Sequence, residues 1–400
     1  MKLSKLQIVS ALSLLLLSTS VSAEAQRAKR LIDEVNPFIG TSNFGTTNPG
    51  AVVPNGLMSI TPFNVSGSPE LNKFDKDKRW WSTPYTADNK FFSGFSHVNL
   101  SGVGCPELGS IIVSASSGDL DVDYTHYGSA MSHEQAHPGY YSVELDKHKI
   151  KAEVTATQRT AISAFTFERG GKSNILVNLG LTNESGATVR FLNDSTIVGS
   201  KLMGTFCYAP QAVFNQYFAI RISRRAPASG YWKKQPPMEG VEAEWDKDQG
   251  KYKIYPTYRK AISGNDVGVW FSFDTKPGET LYVQTGVSFV SEENALLNLT
   301  TEQPTLDFAA VRRAAEDSWE RALRVVEVEG GTADGRTIFY TALYHLLIHP
   351  NILQDVNGQY PMMGSLETGT TKHDRYTVYS LWDTYRNVHP LLSILYPRKQ

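Results

Sequence analysis

The chain has 400 residues, 41% of them hydrophobic and 20% charged, with 39 Lys and Arg against 40 Asp and Glu. That length and apolar content describe a folded protein with room for two domains, not a disordered chain. The near-zero net charge argues against a nucleic-acid surface, and two cysteines, Cys105 and Cys207, are too few for a disulfide framework.

The N-terminus has the pattern of a secretion signal. Lys2 and Lys5 precede an apolar run from Ile8 to Leu17, and Val21-Ser22-Ala23 offers a small-x-small cleavage site. The run is too short to span a bilayer, and no later stretch is long and uncharged enough to do so. Export is therefore expected, to the periplasm, the cell surface or the medium, with no transmembrane segment in the mature chain. Sequons stand at Asn64, Asn99, Asn183, Asn193 and Asn298.

From about Asn36 to Val290 the chain reads as short strands split by Gly, Pro, Asn and Asp. The clearest are Tyr140–Leu145, Ile150–Thr155, Thr160–Phe167, Asn174–Leu179, Tyr217–Ile222, Val267–Phe273 and Thr280–Phe289. Many short strands without helical crossovers indicate an antiparallel sandwich. The period then changes. Thr305 is the expected cap of a helix to about Val326, with Phe308, Val311, Ala315, Trp319, Ala322, Leu323 and Val326 on one face. Gly330-Gly331 ends it. A second helix over Arg336–His349 is apolar almost all round, so burial is expected. Asp355 to Tyr376 reads as loop. A third helix over Val378–Leu395 carries Trp382-Asp383-Thr384-Tyr385-Arg386. There is no internal repeat.

Five stretches hold candidate chemistry. The first is the Trp382–Arg386 run, where an aromatic plate, a carboxylate and a guanidinium stand within one helix. The alternative is a buried helix with Trp382 in the core and an Asp383–Arg386 ion pair. The second is Gly94–Gly109, with His97, Asn99, Ser101, Cys105 and Glu107 among glycines that let backbone approach a ligand. An ordinary sandwich loop and an inert cysteine are the bland reading, and the spacing is not that of a metal site. Pro37–Pro62 is rich in turn residues and lacks the signature of a nucleotide loop. In Lys73–Tyr85, one of Trp80 and Trp81 can face a cleft. In Tyr344–Tyr360, His345 and His349 lack the zinc-protease pattern, and Asp355, Asn357 and Gln359 either bind sugar or shape a turn. No pair of carboxyl groups announces itself as the acid and base that a glycosidase requires.

Together VNPFIGT, NPGAVVPNGLMSITPFN, FSGFSHVNLSGVGCPELG, FYTALYHLLIHPNILQDVNGQY and YSLWDTYRNVHPLL resemble glycoside hydrolase family 92, exo-acting α-mannosidases. The resemblance runs from Val35 to Leu392. It implies an N-terminal β-sandwich, a linker helix and an (α/α)6 barrel, with calcium-dependent, inverting hydrolysis of terminal mannose from glycans. It carries substrate contact to Trp382 and Asp383, and further to Arg386, Cys105, Phe44 and Gly45; His97 and Trp81 join them as rim candidates. TTNPGA here departs from the commoner GNTFPGA, which bears on Phe44.

The expected division is a signal peptide at 1–23, a sandwich at 27–300, a linker helix at 301–330 and the first barrel helices at 331–400. The family's acid, base and most calcium ligands match no position up to Gln400, so the chain is expected to be an N-terminal portion, inactive alone. Two alternatives stand beside this. One is a non-catalytic sugar-binding sandwich, and the other is a glycoside phosphorylase.

Overall fold

The structure is a computed structural model, and it describes residues 30–42, 45–65, 83–102, 108–181, 186–203, 213–234 and 252–399. The expected signal peptide, Phe44, Trp81, Cys105, Glu107, Cys207 and the Asn183 sequon lie outside the described residues.

Two antiparallel sheets form the body. One has eight strands in the spatial order Ala51–Val52, Ser59–Phe63, Gly94–Asn99, Leu108–Ser117, Gly171–Asn178, Val267–Thr275, Ala228–Lys234 and Tyr252–Tyr255. The other has ten: Ile262–Gly264, Ala187–Asn193, Thr196–Met203, Phe214–Ile222, Glu279–Ser288, Thr160–Phe167, Ile150–Ala156, Tyr140–Leu145, Ser129–His137 and Phe91–Phe92. Their inner faces share one core. Phe95 of the first sheet meets Tyr141 and Phe165 of the second at ring-centre distances of 6.2 and 6.0 Å. Every strand named from sequence is present, with ends moved by a few residues. Val, Ile, Phe and Tyr recur on the inner face beside Ala, Leu and Met, and the β-branched and aromatic types are what a pleated, half-buried surface favours.

A one-turn helix, α1 (Tyr124–Tyr127), lies over the outside of the first sheet, where Tyr127 joins Leu176, Trp232 and Trp270. A second helix, α2 (Glu292–Glu302), was not expected from the sequence. It lies on the outside of the ten-stranded sheet, with Ala295 and Leu299 against Val198 and Ala219. Only glycine fits beneath it at Gly286, where a Cβ would stand 2.5 Å from the Ala295 carbonyl. Its buried face also carries Asn294 and Asn298, so the apolar period is weak. Those asparagines, with buried Asn64 and Asn99, are enclosed and hydrogen-bonded, which excludes glycans there; Asn193 is exposed.

Four more helices follow: α3 (Phe308–Leu323), α4 (Ala333–Leu346), α5 (Leu381–Thr384) and α6 (Val388–Leu395). Several expectations need correction. The cap of α3 is Asp307, whose carboxylate accepts from the Ala310 amide at 2.9 Å; the carbonyl of Thr305 accepts from Gln284 instead. Helix α4 begins behind Thr332 and is only half-covered: Ile338 is 62% exposed. The polar loop holds a small hairpin, Gln359–Pro361 with Thr368–Thr370. The single helix expected over Val378–Leu395 is two helices. Pro390 has no amide hydrogen to give the Arg386 carbonyl, and its ring crowds that carbonyl, so the helix cannot run through.

A second core joins helices to sandwich. Trp319 and Leu323 of α3, Tyr340, Leu343 and Tyr344 of α4 and Leu392 of α6 pack with Ile32, Val35 and Val52. Trp319 is fully enclosed and its indole donates to the Val52 carbonyl at 2.5 Å. Nearby, the Arg312 guanidinium lies 3.7 Å over the Tyr140 ring, a cation–π contact from α3 to the second sheet. Replacing Trp319 with Ala is expected to lower stability by about 3–5 kcal/mol, the usual cost of emptying a large aromatic site. Denaturant titration of the variant measures it.

Candidate active site at the seam of sandwich and helices

Three loops gather at one end of the sandwich. Asn48 donates to the Leu100 carbonyl at 3.3 Å, Gly102 donates to Thr46 at 2.9 Å, and Ala87 donates to Thr41 at 2.8 Å. The early glycine loop and the stretch leading to Cys105 are thus neighbours. Gly45 is required by space: a Cβ there would stand 2.0 Å from the Gly40 carbonyl.

The Gly94–Gly109 stretch is not simply a loop. Its first half, Gly94–Asn99, is a buried strand. The strand ends in a bulge at Val98, which holds a left-handed φ of 58°, a strained state for a β-branched residue. Asn99 secures the bulge. Its amide nitrogen donates to Ser59 and Ser96 carbonyls, and its Oδ1 accepts from Ser96 Oγ at 2.7 Å. His97 has no exposed surface. Its Nδ1 lies 2.7 Å from the Ile111 carbonyl, which sets that nitrogen as the donor, and Nε2 has no partner. Burial lowers the ring's pKa to about 4, against the smaller opposing effect of the Ile111 bond.

The helical side presents α5. Trp382 is 89% exposed and Leu381 65%, and α5 buries no residue. Among the described residues Trp382 does not pack into a core, and the expected core position is not found. Asp383 is exposed and accepts from Ser380 Oγ at 2.7 Å. Arg386 donates from Nε to the Tyr385 hydroxyl at 2.8 Å and lies over its ring, and it makes no ion pair with Asp383. The Asp383 carboxylate keeps accepting capacity toward solvent. Among the described residues no hydrogen bond joins α5 to the glycine loops.

Asp355, Asn357 and Gln359 shape their turn. Asp355 is enclosed and accepts from Ser288 Oγ at 2.7 Å, Asn294 Nδ2 at 2.8 Å and Asn298 Nδ2 at 2.6 Å. Burial raises its pKa, and those bonds hold it down in part. Asn294 Nδ2 donates to Gln359 Oε1 at 2.9 Å, and Asn357 donates to Asn294 at 3.1 Å. Beside them, Arg159 and Glu302 form a part-buried pair at 2.7 Å, and Arg159 Nε donates to the Gln354 carbonyl at 2.6 Å. The sequence flagged Asp355, but not its partners Asn294 and Asn298, which lie on the helix it missed. His349 is bonded on both ring nitrogens, whereas His345 Nε2 is buried without a partner.

The chain is thus an antiparallel sandwich carrying the first helices of a helical lobe, with the aromatic–carboxylate turn of α5 exposed on the helical side. The glycosyl hydrolase family 92 N-terminal domain matches residues 34–288, and the family 92 catalytic domain matches residues 294–400. The chain belongs to glycoside hydrolase family 92. It is 29% identical over 411 residues to an uncharacterized secreted glycosidase of Arthroderma benhamiae, covering 94% of this chain and 48% of that protein. A family 92 α-mannosidase of Bacteroides thetaiotaomicron is 29% identical with a TM-score of 0.78, covering 91% of this chain and 47% of the other. An inverting family 92 mannosidase of the same species has a TM-score of 0.75 at 23% identity, covering 93% and 47%, which shows the shared fold. The chain spans about half the length of the relatives it matches.

His97 gives a pH test. Its ordinary pKa is 6.5, and in the folded protein it is about 4. Between those values the unfolded chain binds a proton that the folded chain refuses. Stability is therefore full above pH 6.5 and falls as the pH drops toward 4, by up to about 1.4 kcal/mol per pH unit. His97→Gln is expected to flatten that slope in denaturant titrations run at several pH values.

Proposed function

We propose that this chain is part of an exported α-mannosidase that removes terminal α-linked mannose from glycans with inversion. One observation carries the reading: the 29% identity and 0.78 TM-score to an α-mannosidase extend over 91% of the chain. Another solved form of that α-mannosidase is a complex with mannoimidazole, and mannose-containing glycans are accordingly the proposed partners.

On this reading α5 grips the non-reducing sugar. Asp383 accepts from two vicinal hydroxyls in bidentate fashion, Trp382 stacks on the apolar C–H face, and Arg386 donates to a ring or hydroxyl oxygen. The glycine loops, Gly45 among them, close the other side. The general acid and base are not assigned among residues 1–400.

Calcium belongs to the proposal through the family resemblance. Among the described residues no group of three or more His, Asp or Glu side chains is placed to hold a metal ion, and the most enclosed carboxylate, Asp355, has both oxygens occupied by side-chain donors. The described residues do not fit a calcium site by themselves.

Export is supported by the N-terminal pattern, and no described helix is long and apolar enough to cross a membrane.

The test uses the protein encoded by the intact gene. It is expected to hydrolyse an aryl α-mannoside, to lose that activity to a calcium chelator and to regain it with added calcium. Asp383→Ala is expected to lower kcat/KM by about 10–100-fold, the loss of charge-assisted hydrogen bonds. Full activity in that variant, or no mannosidase activity in the parent, refutes the reading.

A further inference from the structure

Helix α5 is one turn long and buries nothing, so its own packing cannot fix where Trp382 and Asp383 stand. Their placement is inherited from the segments on either side. Upstream, Thr377 and Val378 are held by two residues that follow α4. The Thr377 amide donates to the Asn351 carbonyl at 2.8 Å, and the Asn351 amide donates to Thr377 Oγ1 at 3.0 Å. His349 Nε2 lies 3.1 Å from the Val378 carbonyl, and its Nδ1 lies 3.0 Å from Asn351 Oδ1.

The other end of the Asn351 amide reaches the sandwich. Its Nδ2 donates to the Gly56 carbonyl at 2.6 Å and to the Ile348 carbonyl at 3.1 Å. Gly56 follows Asn55, which sits at a left-handed φ of 56°. Asn55 donates from its amide to the Leu347 carbonyl at 2.8 Å and from Nδ2 to Pro350 at 2.8 Å, and its carbonyl accepts from Ile352 at 2.8 Å. The sandwich turn is thus encircled by residues 347–352. A ring contact continues the path: Tyr379 lies edge-on to His349 at 5.7 Å and to His389 at 4.6 Å, and His389 Nε2 stands 2.9 Å from Thr384 Oγ1 on α5.

We propose that Asn351 is a positioning residue, which sets Asp383 and Trp382 in register with the sandwich by joining the Gly56 carbonyl to the strand-like segment before α5. It rests on the α-mannosidase reading above. Asparagine suits the place because its Nδ2 presents two donors to the Gly56 and Ile348 carbonyls. Alanine removes both bonds. Aspartate sets an oxygen against the two carbonyls.

The experiment compares Asn351→Ala and Asn351→Asp with a control, Asn357→Ala, in the protein encoded by the intact gene. Asn357 is bonded to Asn294 of α2 and to Gln359 of its own turn and does not reach α5. Kinetics on an aryl α-mannoside are measured well below each melting temperature. Both Asn351 variants are expected to raise KM about tenfold or more, because a displaced Asp383 holds the sugar less well. Loss of folded enzyme alone lowers apparent kcat and leaves KM unchanged. A KM within twofold of the parent in a folded Asn351→Ala overturns the proposal. If the parent hydrolyses no mannoside, the functional reading fails, and the positioning is read from amide hydrogen exchange over Thr377–Asp383. Faster exchange there in Asn351→Ala than in Asn357→Ala supports it, and equal exchange overturns it.

Discussion

The turn at Asn55–Gly56 is the point through which the two halves of this molecule are aligned. It leaves the sandwich between the strands Ala51–Val52 and Ser59–Phe63, and its peptide groups are not used by either sheet. Backbone groups enclosed in that way must find partners, at a cost of about 1–3 kcal/mol for each one left unmet. Residues 347–352 supply those partners, and in doing so they fix how the helices stand on the sandwich. An apolar contact alone would tolerate sliding. A set of directional bonds to a left-handed turn does not.

The same division of labour appears across the seam. Trp319 and its neighbours remove apolar surface from water and supply the adhesion. The polar groups supply the direction. Asp355 is bound by three side chains from the last sandwich strand and α2, and Arg159 ties the turn between two strands to the backbone of Gln354. A carboxylate buried among neutral donors is satisfied in one geometry only, since leaving any bond unmade in a low dielectric is costly. The hairpin that follows Asp355 is thereby held on α2, while its tip, with Met363 75% exposed, faces solvent.

Elements whose signal is local were legible in the sequence. Alternating β-branched and aromatic residues marked strands such as Tyr140–Leu145 and Thr160–Phe167, and the apolar stripe from Ala315 to Leu323 marked α3. Elements whose buried face is polar were not. Asn294 and Asn298 hide α2, because their burial depends on Asp355, more than fifty residues away. The apolar pattern over Val378–Leu395 outweighs Pro390 and reads as one helix, where the structure has two. The α5 residues were legible as a constellation, and the exposure of Trp382 was not, since an aromatic at helical spacing reads equally as core.

By itself the sequence determined the sandwich, the change to helical period after it and the aromatic–carboxylate pair at Trp382-Asp383, because each is written in neighbouring residues. The tertiary structure decided that His97 is walled into a strand, that Asp355 binds side chains rather than solvent, and that Asn351 stands between the Gly56 carbonyl and the approach to α5. Those outcomes depend on groups far apart along the chain meeting at hydrogen-bonding distance, and no local periodicity encodes which distant partner a polar side chain will find.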